Sequence, residues 1–150
     1  RTKISAEKIV LKLDNSIVIR SEPMYGYDHE KKQVKVGTNT FENDLNVGYK
    51  DLLRNPIFIN DIPKVIYSLI KKNQKGIFNI AGQDKLKWLY FLKRLASLTN
   101  AENKIKLVDS SNWILKPPHD STLDTSKIIS LGIKTTSFEV AINELKDTLL

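Results

Sequence analysis

Residue types able to do chemistry are sparse in this chain, and spacing decides how far each can be read. The two histidines, His29 and His119, lie far apart with no second ligand at metal spacing, so both read as surface residues. Cysteine is absent, which removes disulfides, thiolate metal ligands and a thiol nucleophile together. The glycine pairs Gly26/Gly37 and Gly76/Gly82 do not make a phosphate-cradling loop, and no GxGxxG opens a helix after a strand. Asp51 and Asp61 have the chemistry for a carboxylate pair, but a loop residue and a helix cap is the simpler reading. Lys3 reads as a solvated helix lysine. Arg20 reads as the partner of a carboxylate at a strand end. Asp120 and Ser121 read as side chains that stabilise the turn after two prolines.

The elements that must position these residues alternate in type. Apolar spacing predicts a helix over 2–13, with Lys8 and Lys12 on its polar side. SIVIR is a short buried strand, SEPMYG a loop, and residues 27–48 mostly loop with a short strand at QVKV. PIFIN is a second apolar run. Asp61 is expected to cap a helix from Ile62 to Lys72, with Pro63 near its first position. GIFNIAG is a strand, and Asp84 is expected to cap the helix KLKWLYFLKRLASLTN, which places Trp88 and Tyr90 in the core. NKIKLVDS is a strand, KPPHDSTLD a loop stiffened by two prolines, and TSKIISLG a short helix that stops at Gly132. Trp113, in a less periodic segment, is a candidate for a ligand surface. Ser137 is expected to cap the last helix. Strands alternating with helices indicate an α/β fold.

Bulk properties bound the function. At 150 residues, 41% hydrophobic and 27% charged, the chain is long enough for one domain with a sizeable core. The net charge of +7 invites a nucleic-acid reading. Its lysines are scattered, however, and its arginines are only Arg1, Arg20, Arg54 and Arg94, with no interleaved aromatics. Nucleic acid is therefore disfavoured. No apolar run approaches a membrane span and no signal peptide is visible. The missing cysteines fit a reducing, cytoplasmic setting.

The order of five stretches carries a resemblance. TKISAEKIV, IVIRSEPMYG, DLLRNPIFINDI, GIFNIAG and PPHDSTLDTSKIISLG follow one another as in the C-terminal half of an extended short-chain dehydrogenase/reductase. The chain resembles the dTDP-4-dehydrorhamnose reductase group in particular. That group's helix pattern Y-G-x-x-K-x-x-x-E finds its lysine at Lys3 and its acid at Glu7, so its tyrosine would fall two residues before Arg1. R-T-S-x-x-Y-G matches at Arg20, Ser21, Tyr25 and Gly26, with Glu22 replacing the second Ser. D-Q-x-G-x-P-T-x-x-x-D-L matches at Asp51, Pro56, Asp61 and Ile62, while Leu52, Arg54 and Ile57 depart from Gln, Gly and Thr. R-P-x-D-S-x-L-D matches at Pro118, Asp120, Ser121, Leu123 and Asp124, with Pro117 in place of Arg.

The resemblance implies the last parallel strands of a Rossmann-type fold plus a small substrate-binding subdomain. Residues 1–26 would hold the end of the catalytic helix, a strand and the cofactor loop. Residues 27–150 would hold the substrate-binding part mixed with the closing strand and helices. The implied chemistry is hydride transfer from NADP or NAD to the 4-keto group of a nucleotide-linked sugar. Lys3 would be catalytic and bind the nicotinamide ribose, lowering the tyrosine pKa by its charge. Ser21, Glu22 and Pro23 would lie against the nicotinamide. Tyr25, Pro118, Asp120 and Ser121 would border the substrate, and no metal is implied. The implied partners are the nucleotide-sugar, the N-terminal Rossmann half of the same protein and a second copy in a homodimer, with no membrane. Lacking the tyrosine and the glycine-rich loop, the chain alone is expected to be inactive. The competing function is a non-catalytic regulatory or binding subunit on the same fold, a drift that would suit the departures at Glu22, Leu52, Arg54 and Pro117.

Overall fold

The computed structural model describes residues 2–40, 46–108 and 118–150. Helix α1 (Thr2–Val10) leads into strand β1 (Ile17–Ser21), whose β-branched run suits an extended backbone. Strand β2 (Met24–Asp28) pairs antiparallel with β3 (Gln33–Val36), and β3 pairs with the two-residue β4 (Asn39–Thr40). Further on come β5 (Asn46–Tyr49), β6 (Leu53–Arg54) and β7 (Ile57–Phe58), then helix α2 (Asp61–Lys71). Strand β8 (Gly76–Ile80) runs parallel beside β1, with Ile17 opposite Gly76 and Ser21 opposite Ile80. Strand β9 (Leu86–Lys87) pairs antiparallel with β6 and leads directly into α3 (Trp88–Ala96). Strand β10 (Ile105–Val108) runs parallel to β5. Helices α4 (Ser126–Ser130) and α5 (Phe138–Leu149) follow.

Two apolar clusters hold these elements. In one, α3 and α5 press Phe91, Leu92, Leu95, Phe138, Ala141 and Ile142 against Tyr25, Val34 and Phe58 of the four-stranded β4-β3-β2-β7 sheet. In the other, Val65 and Leu69 of α2 and Ile128 of α4 pack on Phe78 and Ile80 of β8. Strand β7 serves both, because successive strand side chains point to opposite faces: Ile57 enters one cluster and Phe58 the other.

Several sequence expectations change. Helix α1 stops at Val10 rather than Leu13, because Lys12 and Leu13 donate to Ile9 and Val10 three residues back and tighten the last turn. It buries no residue, and Ile4, Ile9, Leu11 and Leu13 are exposed. SEPMYG is not a loop throughout. Its second half opens β2, so a division at residue 26 falls inside a strand. The polar stretch before residue 50 also holds β5. Helix α3 begins at Trp88, since Leu86 and Lys87 are first taken by β6, and Tyr90 is exposed. Trp113 and Pro117 lie outside the described residues. Gly132 ends α4 with a positive φ of 74°, as expected of a stop residue.

The three expected caps also change. Asp61 does not cap α2. It is buried, and its carboxylate accepts from the Thr136 amide (2.6 Å) and the Thr136 hydroxyl (2.7 Å). Asp84 does not cap α3; it accepts from the Phe138 amide at 2.6 Å, an orphan donor in the first turn of α5. Ser137 makes no capping bond. Two carboxylates distant in sequence thus anchor the segment entering α5.

Two stability tests follow from this packing. Asp61→Ala should cost about 2–3 kcal/mol in urea unfolding, because it orphans the Thr136 amide. Ser137→Ala should cost under about 0.5 kcal/mol. Comparable losses would mean that Ser137 caps α5 after all. Gly82→Ala should destabilise by about 1–3 kcal/mol, since its Cβ would meet the Pro56 carbonyl oxygen at 2.2 Å, a backbone atom that cannot swing away.

Candidate active-site cleft

The parallel pair β1–β8 ends with its carboxyl termini side by side, and the chain passes from Ser21 through Glu22 and Pro23 into β2. The Glu22 amide donates to Ile80 O (3.3 Å), extending the ladder, while the Ile57 amide donates to Pro23 O (3.0 Å). These bonds pin the crossover from both sides. Open α/β sheets take ligands just outside the carboxyl ends of their strands. A cavity of about 750 Å³ opens here, with Ser21, Glu22, Pro23, Tyr27, Lys35 and Arg54 in its wall. That volume suits a small-molecule ligand. A second cavity of about 320 Å³ shares Pro23, Gly37 and Arg54 with it and adds Trp88.

The wall carries charges in opposed pairs. Lys35 Nζ lies 2.5 Å from Asp28 Oδ2. The Lys35 bond, with the amides of Lys31 and Glu30, holds the Asp28 carboxyl below its usual range. Arg54 Nη1 lies 3.4 Å from Glu22 Oε2. Burial pushes the Glu22 carboxyl up, and the guanidinium only partly offsets that. Trp88 fixes the other side of Arg54, whose guanidinium carbon lies 5.7 Å from the ring centroid. The indole is itself held: its N–H donates to Val47 O (3.0 Å), and its ring stacks on Phe91 at 5.0 Å.

Helix α1 is tied to this end of β1 by a bidentate pair, Arg20 Nε and Nη2 on the two Glu7 oxygens at 2.9 and 2.6 Å. Arg20 is thus a carboxylate partner, and its bonds lower the Glu7 pKa. Lys3 stands one turn before Glu7 on the same helix face and is exposed.

The other sequence candidates are placed differently. Tyr25 reaches the cavity wall, but its ring is only 2% exposed and packs on Phe58, Phe91 and Phe138 with centroids 5.6, 5.1 and 5.8 Å away. Burial, reinforced by Asp61 and Asp84, pushes its phenol pKa up. Pro118, Asp120 and Ser121 do not line the main cavity. Asp120 pairs with Lys85 and accepts from the Thr122 amide (3.0 Å) and hydroxyl (2.7 Å), bonds that hold its pKa well below the usual carboxylate range. Ser121 donates from both amide and hydroxyl to Leu53 O. His119 is exposed, and the His29 ring meets Tyr27 edge-on at 5.0 Å.

Residue-by-residue reading missed Asn55 and Arg54. Asn55 is buried and holds Leu123 by both its amide and its carbonyl, at 2.9 and 3.0 Å; no sequence signal marks it. For Arg54 a signal exists: Glu22 and Arg54 are opposite charges standing where the motifs carry small uncharged residues.

A loop at the carboxyl end of a parallel strand faces an open cavity, with a cationic side chain on the adjoining helix. No curated protein matches the chain. Solved structures do. The dTDP-4-dehydrorhamnose reductase of Bacillus anthracis, in complex with NADP, superposes with a TM-score of 0.72 at 19% identity, over 96% of this chain and 53% of that one. The Clostridium acetobutylicum dTDP-4-dehydrorhamnose reductase ortholog gives 0.71 at 19% identity, over 99% and 54%. The dTDP-glucose 4,6-dehydratase of Bacillus anthracis, in complex with NAD, gives 0.67 at 17%, over 98% and 50%. The chain spans about half the length of these proteins, and the likeness is one of fold: a mixed α/β arrangement with parallel strands. The model of the RmlD substrate binding domain matches residues 1–150, and the chain belongs to that family.

Proposed function

We propose that this chain is the substrate-binding part of an NAD(P)-dependent reductase that acts on the 4-keto group of a nucleotide-linked sugar, as dTDP-4-dehydrorhamnose reductases do. The match to the substrate-binding family along residues 1–150 carries the reading. The cavity at the carboxyl end of β1 supports it. In the whole protein an N-terminal Rossmann half supplies the glycine-rich loop, and the protein works in the cytoplasm. Bound NAD(P)H supplies a hydride. Ser21, Glu22 and Pro23 form the wall against the nicotinamide. Lys3 hydrogen-bonds the nicotinamide ribose and, by its charge, lowers the pKa of a tyrosine four residues before it, which donates the proton to the developing alkoxide. Tyr25, Pro118, Asp120 and Ser121 border the nucleotide-sugar, the last three on a segment that His119 O and Ser121 tie to the Leu53 backbone.

The reading has a direct test. In the whole protein, Lys3→Met keeps the aliphatic stem but removes the charge. The tyrosine pKa should then rise toward about 10. Turnover should fall at least about 10²-fold while the circular dichroism spectrum stays that of a folded protein. His119→Ala, on an exposed loop, should change turnover far less. The 150-residue chain alone should turn over no NADPH. Unchanged kinetics for Lys3→Met would make Lys3 an ordinary helix lysine and put the non-catalytic subunit first.

A further inference from the structure

The charged groups in the cavity wall cancel in pairs, Glu22 with Arg54 and Asp28 with Lys35. Such a wall offers no surplus cation to draw a free anion. The Glu22–Arg54 pair nevertheless differs from the other. At 3.4 Å it is long for a charge-assisted bond. Glu22 is 6% exposed and Arg54 is half-buried, so both heads sit in the wall rather than in bulk water. Trp88 and the β6–β9 ladder fix the arginine from behind. The result is a carboxylate edge and a guanidinium edge side by side, each with bonding capacity to spare.

We propose that the Glu22–Arg54 pair is the sugar-reading element of this cavity and takes a vicinal diol of the nucleotide-sugar's hexose ring. The assignment rests on the nucleotide-sugar reading above. A hydroxyl both donates and accepts, so two neighbouring hydroxyls can satisfy both edges at once: one donates to the Glu22 carboxylate while the next accepts from an Arg54 N–H. A lone phosphate would instead have to displace Glu22 and leave a buried carboxylate without its counter-charge, which is costly. The Trp88 ring behind Arg54 keeps the guanidinium plane fixed, so less ordering is required on binding. Glu22 sits on the crossover that follows β1 and Arg54 reaches it from β6, so the hexose the pair holds lies beside the nicotinamide wall.

The test is titration calorimetry on the whole protein with NADP⁺ present, using dTDP, dTDP-glucose and dTDP-3-deoxyglucose. Removing the 3-hydroxyl deletes every ring vicinal diol. Wild type should bind dTDP-glucose about tenfold or more tighter than the 3-deoxy sugar, since each polar contact to a charged group is worth about that factor. The double variant Glu22→Ser/Arg54→Gly should lose this discrimination and bind dTDP with unchanged affinity. Arg54→Lys, which keeps the charge but not the planar fork, should lose most of it and provides the test if the double variant does not fold. Two results would overturn the diol assignment alone: no wild-type preference for dTDP-glucose, or an equal loss of dTDP affinity in the variants, which would make Arg54 a phosphate contact. Failure of all three nucleotides to saturate the wild type would overturn the nucleotide-sugar reading, and the diol assignment with it.

Discussion

The backbone from Leu52 to Phe58 is the constraint on which the rest depends. Leu52 O accepts from the Trp88 amide (2.8 Å), Leu53 N donates to His119 O (2.8 Å), and Leu53 O accepts from Ser121 N (3.2 Å). Arg54 pairs with Leu86, Asn55 O accepts from Gly82 N (3.0 Å), Ile57 N donates to Pro23 O, and Phe58 pairs with Tyr25. One extended stretch therefore satisfies its own backbone by tying down the β1–β2 crossover, the turn after β8, the start of α3 and the 118–124 segment. Buried backbone groups must find partners, so each of these loops is held where it is by that need. Gly82 is the point of closest approach, where a side chain cannot fit against Pro56.

Two carboxylates withdrawn from water hold a further segment, Asp61 buried and Asp84 half-buried. Asp61 and Asp84 hold the segment entering α5 from two different parts of the chain. Exposed pairs such as Arg94–Glu139 are of the kind that contribute little, because water and salt screen them. The Glu22–Arg54 pair lies between these cases. Burial pushes the Glu22 carboxyl up despite the guanidinium beside it, and a buried ion pair is weak evidence of stabilisation because desolvation opposes the Coulombic gain. Both side chains of the pair line the cavity.

How much of this was legible in the sequence depends on whether a signal was local. The strands SIVIR and GIFNI, helix α2 and the stop at Gly132 rest on periodicity and glycine chemistry, and the structure has them, although β1 is only half-buried rather than buried. Their parallel pairing suits two apolar runs separated by a helix. The caps were misassigned because Asp61, Asp84 and Ser137 stand at helix starts in sequence, where capping is the default. The two carboxylates instead bond amides 75 and 54 residues away, contacts that no local window contains. Strand β2 is hard to read because a proline precedes it and a glycine stands inside it, although Gly26 is there to let Ile59 pack close. Lys3, Ser21, Glu22 and Pro23 came from motif order, and the last three do share one cavity wall. Asn55 was silent, since a buried amide that grips a distant backbone looks like any other loop asparagine.

The remaining feature is what β1 and α1 leave uncovered. Among the described residues β1 has a single sheet neighbour, β8, and Ile17, Val18 and Ile19 are only half-buried. Parallel strands normally lie inside a sheet with both faces covered, and two strands make a marginal sheet by themselves. Helix α1 meanwhile presents Ile4 and Ile9 to solvent while Glu7 locks it to Arg20. A helix whose polar group is fixed and whose apolar groups are not covered is positioned for something other than this chain's own core. If the proposed Rossmann half adds its strands to the open edge of β1, their carboxyl ends fall in line with Ser21. The cavity wall would then continue onto that half beside Glu22 and Arg54. The same docking would cover both the strand edge and the helix face, which makes the stability of this part and the completeness of its site one physical requirement.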